Sequence, residues 1–237
     1  MEIPKKDKKI PEFELSLFKK SLKFFENAVL MLKENISNNI YDAVVGDDVS
    51  GRLPTLVLYG VIKKICSKNK VDVPKLLFFK GNRGGWKVSE EDVELWKKNM
   101  QKELERYVQE KTLEKGSKIL IVTEYNQTNN TILNFNEVFG KAGIGFDVLD
   151  LQRHINTPYF REGEIKVYDA GIVQDRIGSI LFWNSDDKEL TGVKKKKDSD
   201  VFVQANKEAD KKDVKKARED VKKMIDYLFK YYEQNIG

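Results

Sequence analysis

The chain reads as an α/β protein with a mostly parallel central sheet, helices on both faces, and a long helix near each terminus. Apolar runs too short for helices, at 40–46, 73–81, 119–122 and 144–151, alternate with longer segments of helical periodicity. Strands that alternate with helices pair in parallel, because each crossover carries the chain back to the same end of the sheet. Glycine-, asparagine- and proline-bearing turns punctuate the alternation where each element should stop.

The elements follow in order. Residues 1–10 are lysine-rich with no apolar run behind them, so they are expected to form a disordered tail and not a signal peptide. Leu15, Phe18, Leu22, Phe25, Val29, Leu32 and Ile36 recur at spacings of three and four, one face of a long helix that Asn38-Asn39 ends. IYDAVVG (40–46) is a buried strand. Pro54 then stands one turn into a helix that carries Leu56, Leu58, Tyr59, Ile62 and Ile65. VPKLLFFKG (73–81) is a second strand, closed by the glycine-rich turn at 81–85. Ser89 with Glu91-Asp92 marks the start of a helix running to about Glu114. A strand at 119–122 is expected to stop at Thr123-Glu124, with a polar turn at 125–130 and a helix at 131–142. A strand follows at 144–151, and EIKVYDAGIV (164–173) and GSILFW (178–183) supply two more. Lys194 to Lys197 read as a polar loop. Val214, Ala217, Val221, Met224, Leu228 and Tyr231 line one face of a C-terminal helix. Packing on the sheet is expected for both terminal helices, with a coiled-coil homodimer as the other use of their heptad-like spacing. There is no internal repeat and no linker, so residues 1–237 are expected to form a single domain.

Composition narrows the classes. The chain has 237 residues, 40% hydrophobic and 34% charged, with a mean hydropathy of -0.55. No run reaches the roughly 20 apolar residues of a membrane span, so a soluble, cytoplasmic protein is expected. A single cysteine, Cys66, and a single histidine, His154, exclude a disulfide framework and a Cys/His zinc site. The net charge of +5 comes from 43 Lys and Arg set among 38 Asp and Glu. Such dispersed charge reads first as solvated surface, with nucleic acid the minority partner.

Three stretches carry chemistry. In VVGDDVSGRLPT (44–55), a strand delivers Asp48, Ser50, Gly51 and Arg52 at its carboxyl end, where ligands bind in open α/β sheets. A hydroxyl, a close backbone approach and a fork of donors suit a phosphate or pyrophosphate. A plain turn with Asp48 or Ser50 as a helix cap is the other reading. In FFKGNRGGWK (78–87), Lys80 and Arg83 stand on a glycine-rich loop that could close over a polyphosphate or simply be a solvated turn. In ILIVTEYNQTNNTI (119–132), Gln127, Thr128, Asn129, Asn130 and Thr131 lead into a helix N-terminus, which favours an anion. Glu124 could accept from ribose hydroxyls or carry Mg²⁺ through water. Phe182 and Trp183 either pack in the core or stack a base.

In this order the three stretches resemble the type I phosphoribosyltransferase family over roughly residues 40–151. YDAVVGDDVSGRLP is similar to the family's pyrophosphate loop, FFKGNRGGW to the start of its flexible catalytic loop, and ILIVTEYNQTNNTI to its phosphoribosyl-pyrophosphate (PRPP) signature. The resemblance implies binding of PRPP or a related ribose 5′-phosphate or nucleotide, with Mg²⁺ on the pyrophosphate. It gives Arg52, Lys80 and Arg83 the pyrophosphate, Glu124 the ribose and metal, and Thr128 and Thr131 the 5′-phosphate. The signature departs from the family pattern. Thr123 stands in place of the first acid, Glu124 replaces the second, Gln127 occupies the place of the acid often assigned as base, and Asn129-Asn130 replace small residues. The implied transferase activity is therefore reduced or altered. A non-catalytic regulator or partner-binding protein on the same fold, possibly contacting nucleic acid, is the rival expectation.

Overall fold

The structure is a computed structural model that describes residues 10–80, 88–126, 129–160, 165–174, 193–194, 201, 204–205 and 211–235, with backbone alone at 47–50, 193–194 and 204–205. The described elements run α1 (Ser16–Met31), α2 (Lys33–Ser37), β1 (Ala43–Asp47), α3 (Asp48–Asn69), β2 (Lys75–Phe79), α4 (Glu90–Gln109), β3 (Lys118–Asn126) and α5 (Asn130–Lys141). They continue with β4 (Gly145–His154), β5 (Lys166–Asp169), β6 (Ile172–Val173), β7 (Val193–Lys194), β8 (Gln204–Ala205) and α6 (Lys211–Asn235).

The main sheet has the order β2-β1-β3-β4-β5, with β6 also pairing β4, and every pair in it is parallel. The expected strands at 40–45, 75–79, 119–122 and 146–149 are therefore neighbours in one sheet, although the first begins at Ala43. Side chains alternate across β3 and sort its two faces. Leu120 and Val122 join the core beneath α1, α3 and α6, whereas Ile119 and Ile121 join the core beneath α4 and α5. Burial on both faces explains why these strands are continuous apolar runs and not alternating ones.

The helices start and stop for local reasons. Ser89 accepts from the amide of Asp92 at 3.1 Å and caps α4, as expected, and Glu90, Glu91 and Asp92 add favourable charge to its first turn. The helix ends at Gln109, five residues short of the expected limit, where Lys111 takes a left-handed backbone at φ 55. Asn39 does the same at φ 50 and closes α2, which follows α1 after a break at Leu32. The α1 helix rests on β4 and β5, and α6 crosses α1 and α3 without lying on the strands themselves. The terminal helices thus join one core through Phe18, Leu22, Phe25, Met224 and Leu228.

Three expectations are corrected. The turn at 47–52 is not a loop, because β1 ends at Asp47 and α3 begins at Asp48. Pro54 lies inside that helix, where its missing N–H leaves the Ser50 carbonyl without an intrahelical donor. The strand at 119–122 does not stop at Thr123-Glu124 but runs on to Asn126, carried by its ladder with β4: Thr123 pairs Asp150, Tyr125 pairs Gln152 and Asn126 pairs Arg153. Lys194 belongs to β7, which pairs β8 antiparallel. The expected strand at 178–183, with Phe182 and Trp183, and Lys195 to Lys197 lie outside the described residues.

Candidate functional site

The carboxyl edge of β1, β2 and β3 is where the chemistry-bearing stretches meet. Gly46 is indispensable to its construction. A Cβ there would sit 2.6 Å from Phe78 Cδ1 and 2.8 Å from Thr55 Oγ1, so only glycine lets Phe78 and α3 close over the end of β1. Thr55 is buried and donates to the Gly51 carbonyl at 2.6 Å. Arg52 then lays its guanidinium 4.4 Å from the centre of the Phe78 ring. That cation–π contact holds a half-buried charge at the sheet edge.

A helix beginning at Asp48 leaves the amides of Asp48, Val49 and Ser50 as the donors without an intrahelical acceptor. Gly51 stands at the first intrahelical bond, so its amide belongs to the helix and not to an open phosphate loop. The register sets the next spacing. Gly46 is level with Val122, and β3 continues to Asn126. At about 3.3 Å per residue, α5 starts roughly 10 Å farther along the strand direction than α3. The two helix starts share one edge, on adjacent parallel strands, and are staggered.

The α5 start is bound into a buried polar network. Asn129, at φ 61, is its N-cap residue, with no side-chain cap bond. Its amide donates to Asn126 Oδ1 at 3.0 Å, and its Nδ2 donates to the Pro158 carbonyl at 2.6 Å. Asn126 Nδ2 donates to Asn129 Oδ1 at 2.6 Å and to Asp150 Oδ2 at 2.8 Å. Thr157 Oγ1 donates to the Asn126 carbonyl at 3.1 Å, and Arg153 Nη2 donates to the Thr157 carbonyl. Arg153 Nη1 reaches Asp169 Oδ2 at 3.4 Å. Burial pushes the Asp169 carboxyl above its ordinary range, and Arg153 opposes that shift. Asn126, Asp150, Gln152, Arg153 and Thr157 are all buried. None was singled out from the sequence. Their signal there is a polar sequence, Asp150, Gln152 and Arg153, inside a stretch otherwise apolar enough for a strand.

The expected site residues separate. Asp48 and Ser50 lie in the first turn of α3, Gly51 is buried, and Arg52 faces Phe78. Asn129 is buried, Thr131 half-buried and Asn130 exposed at the start of α5. Lys80 is not on a mobile loop. It is 2% exposed, its amide donates to the Val201 carbonyl at 2.7 Å, and its carbonyl accepts from Trp96 Nε1 at 2.7 Å. Glu124 lies within β3 at 1% exposed, and Thr123, on the opposite face, is also buried. Arg83, Gln127 and Thr128 lie outside the described residues.

Among the described residues no group of three or more His, Cys, Asp or Glu converges as a metal site. A lone carboxylate enclosed in the ladder does not fit a Mg²⁺ ion that needs open octahedral coordination, so the expected Mg²⁺ role of Glu124 is not supported by its surroundings. Among the described residues no helix is long and apolar enough to cross a membrane.

No family model matches the chain, and no curated protein matches it. Solved structures do. The crystal structure of purine phosphoribosyltransferase from Pyrococcus horikoshii Ot3 aligns with 67% of this chain and 87% of its own, at 12% identity and a TM-score of 0.36. So loose a likeness says nothing of substrate or chemistry; the α/β class stands on the sheet itself.

Proposed function

We propose that the protein binds a phosphorylated ribose compound, PRPP or a nucleotide, at the carboxyl edge of β1 and β3, with little pyrophosphate-releasing transfer. The observation that carries this reading is the pair of helix starts, α3 and α5, on adjacent parallel strands of one edge. Each offers amide donors and the positive end of a helix dipole to an anion. Their stagger suits a ligand with phosphates at both ends of a ribose. Arg52 on its Phe78 platform supplies charge beside the first. Thr131 supplies a hydroxyl at the second.

The weak-turnover half rests on burial. Leaving-group chemistry needs a reachable acid and open donors. Glu124 is enclosed, Thr123 brings no charge, and the amide of Asn129 is already taken by Asn126. Binding therefore relies on backbone amides, hydroxyls and Arg52, and does not call on a protein-held metal.

Calorimetry with PRPP and with nucleoside monophosphates, with and without Mg²⁺, tests both halves alongside a pyrophosphate-release assay. Binding to wild type is expected, little altered by Mg²⁺. Replacing Thr128 and Thr131 with valine should weaken it at least tenfold, since a hydrogen bond to a charged group is worth about 1.5–3 kcal/mol. Absence of heat with every ligand would remove sugar-phosphate binding and favour the partner-binding use of the same fold. Rapid pyrophosphate release with one base would overturn the weak-turnover half.

A further inference from the structure

The segment that follows β4 is anchored at every turn and yet leaves an aromatic ring in solvent. Thr157 is bonded through its amide to the His154 carbonyl at 2.9 Å and through its hydroxyl to the Asn126 carbonyl. The Pro158 carbonyl is held by Asn129, the N-cap residue of α5. Arg153, 2% exposed, is fixed between Asp169 and the Thr157 carbonyl. The Tyr159 ring rests on that guanidinium, with Cζ 3.5 Å from the ring centre, while the residue is 73% exposed.

A tyrosine held this way has one face on a buried cation and the other in water. A ring needed only to cover Arg153 would gain by folding down over it and hiding its second face. Instead the ring stands out beside the α5 start, with Ile155 at 51% and Ile172 at 56% exposed close to the same end of β4. An aromatic face of fixed orientation binds flat rings at low entropic cost, and any base offers a π-face to it.

We propose that Tyr159 is a shelf for the base of a nucleoside 5′-phosphate whose phosphate sits at the start of α5, which rests on the site reading given above. The Asn129 to Pro158 bond is the link that matters: it couples the residue at the phosphate end to the residue that carries the ring. The substrate or effector class is then a nucleotide, and a bare sugar phosphate would lose the stacking contribution. Arg153 acts as a positioning residue through the ring.

Calorimetry with 5′-AMP and with ribose 5-phosphate separates the possibilities. Wild type is expected to bind 5′-AMP at least fivefold more tightly than ribose 5-phosphate. Tyr159→Ala should remove that advantage and leave ribose 5-phosphate affinity unchanged, with Tyr159→Phe and Tyr159→Trp keeping it. Thermal melts of each variant establish that the fold is intact. Equal 5′-AMP affinity in wild type and Tyr159→Ala would overturn the shelf while leaving the phosphate site standing. Equal weakening of both ligands would also overturn it, because a structural loss does not distinguish base from sugar. Failure of wild type to bind either ligand would overturn the phosphate site, and the shelf with it.

Discussion

Asp220 on α6 accepts from the amides of Glu14 at 3.0 Å and Leu15 at 2.7 Å, at the start of α1, although 205 residues separate it from Leu15 in sequence. Leu15 is the N-cap residue of α1 and makes no side-chain cap bond of its own, so this remote carboxylate does the capping. It is 0% exposed, with Lys223 at 3.3 Å as its countercharge. Replacing Asp220 with alanine removes a cap and leaves two amides and a lysine without their acceptor, at a cost of about 2–3 kcal/mol. Asparagine, which keeps one acceptor, should cost about half as much. Urea unfolding curves that shift in midpoint without a change of slope would bear this out. Equal stability of alanine variant and wild type would mean that the cap is dispensable. Nothing at the level of single residues in the sequence could reveal this pairing, because Asp220 sits among lysines where an acid reads as one more surface charge. The same holds for Asn126 and Asn129: their spacing marks a turn, but only the closed strand shows them bonded to each other.

The two helices on the second face are joined by Glu137 of α5, which reaches Lys97 of α4 at 2.5 Å and Lys141 at 2.8 Å. Lys141 first, and then Lys97, hold its carboxyl below the usual carboxylate range. A depressed folded-state pKa contributes stability that is present above the unfolded value, about 4.3, and is lost as pH falls through the folded value. Wild type should therefore exceed Glu137→Gln in melting temperature at pH 6, by a small margin because the pair is partly exposed. The two should converge as pH falls below about 4. A difference that persists undiminished at pH 3 would show that some other property of the glutamine is responsible. Element order was legible in the sequence because periodicity reports burial, and burial follows the sheet. Element ends were less so. The last residues of β3 are polar, and they are strand only because β4 continues beside them. Asp48 is helical only because α3 must reverse immediately to lie on β1. Both outcomes come from tertiary contacts that no local window contains.

One face of the sheet is completed from both ends of the chain. The α6 helix crosses α1 and α3, and Gly60 of α3 marks how closely they meet, since a Cβ there would lie 2.2 Å from Ile225 Cδ1. Phe18, Phe25, Leu58, Val61, Met224 and Leu228 share that core. A chain ending at residue 210 should keep its strands and expose this face. It should bind a hydrophobic dye that wild type does not, and a peptide spanning Lys211–Asn235 added in trans should quench the signal. A truncated chain that binds no dye would show that α6 is an accessory to a core already closed. The arrangement also sets an order of events during synthesis. The α1 helix leaves the ribosome early, yet both its amino-terminal cap and much of its cover reside on α6, the last of these elements to emerge. Until then the nascent chain carries an uncapped helix and an open apolar face, the surface that holdase chaperones recognise, and final closure waits for translation to reach the C-terminal helix.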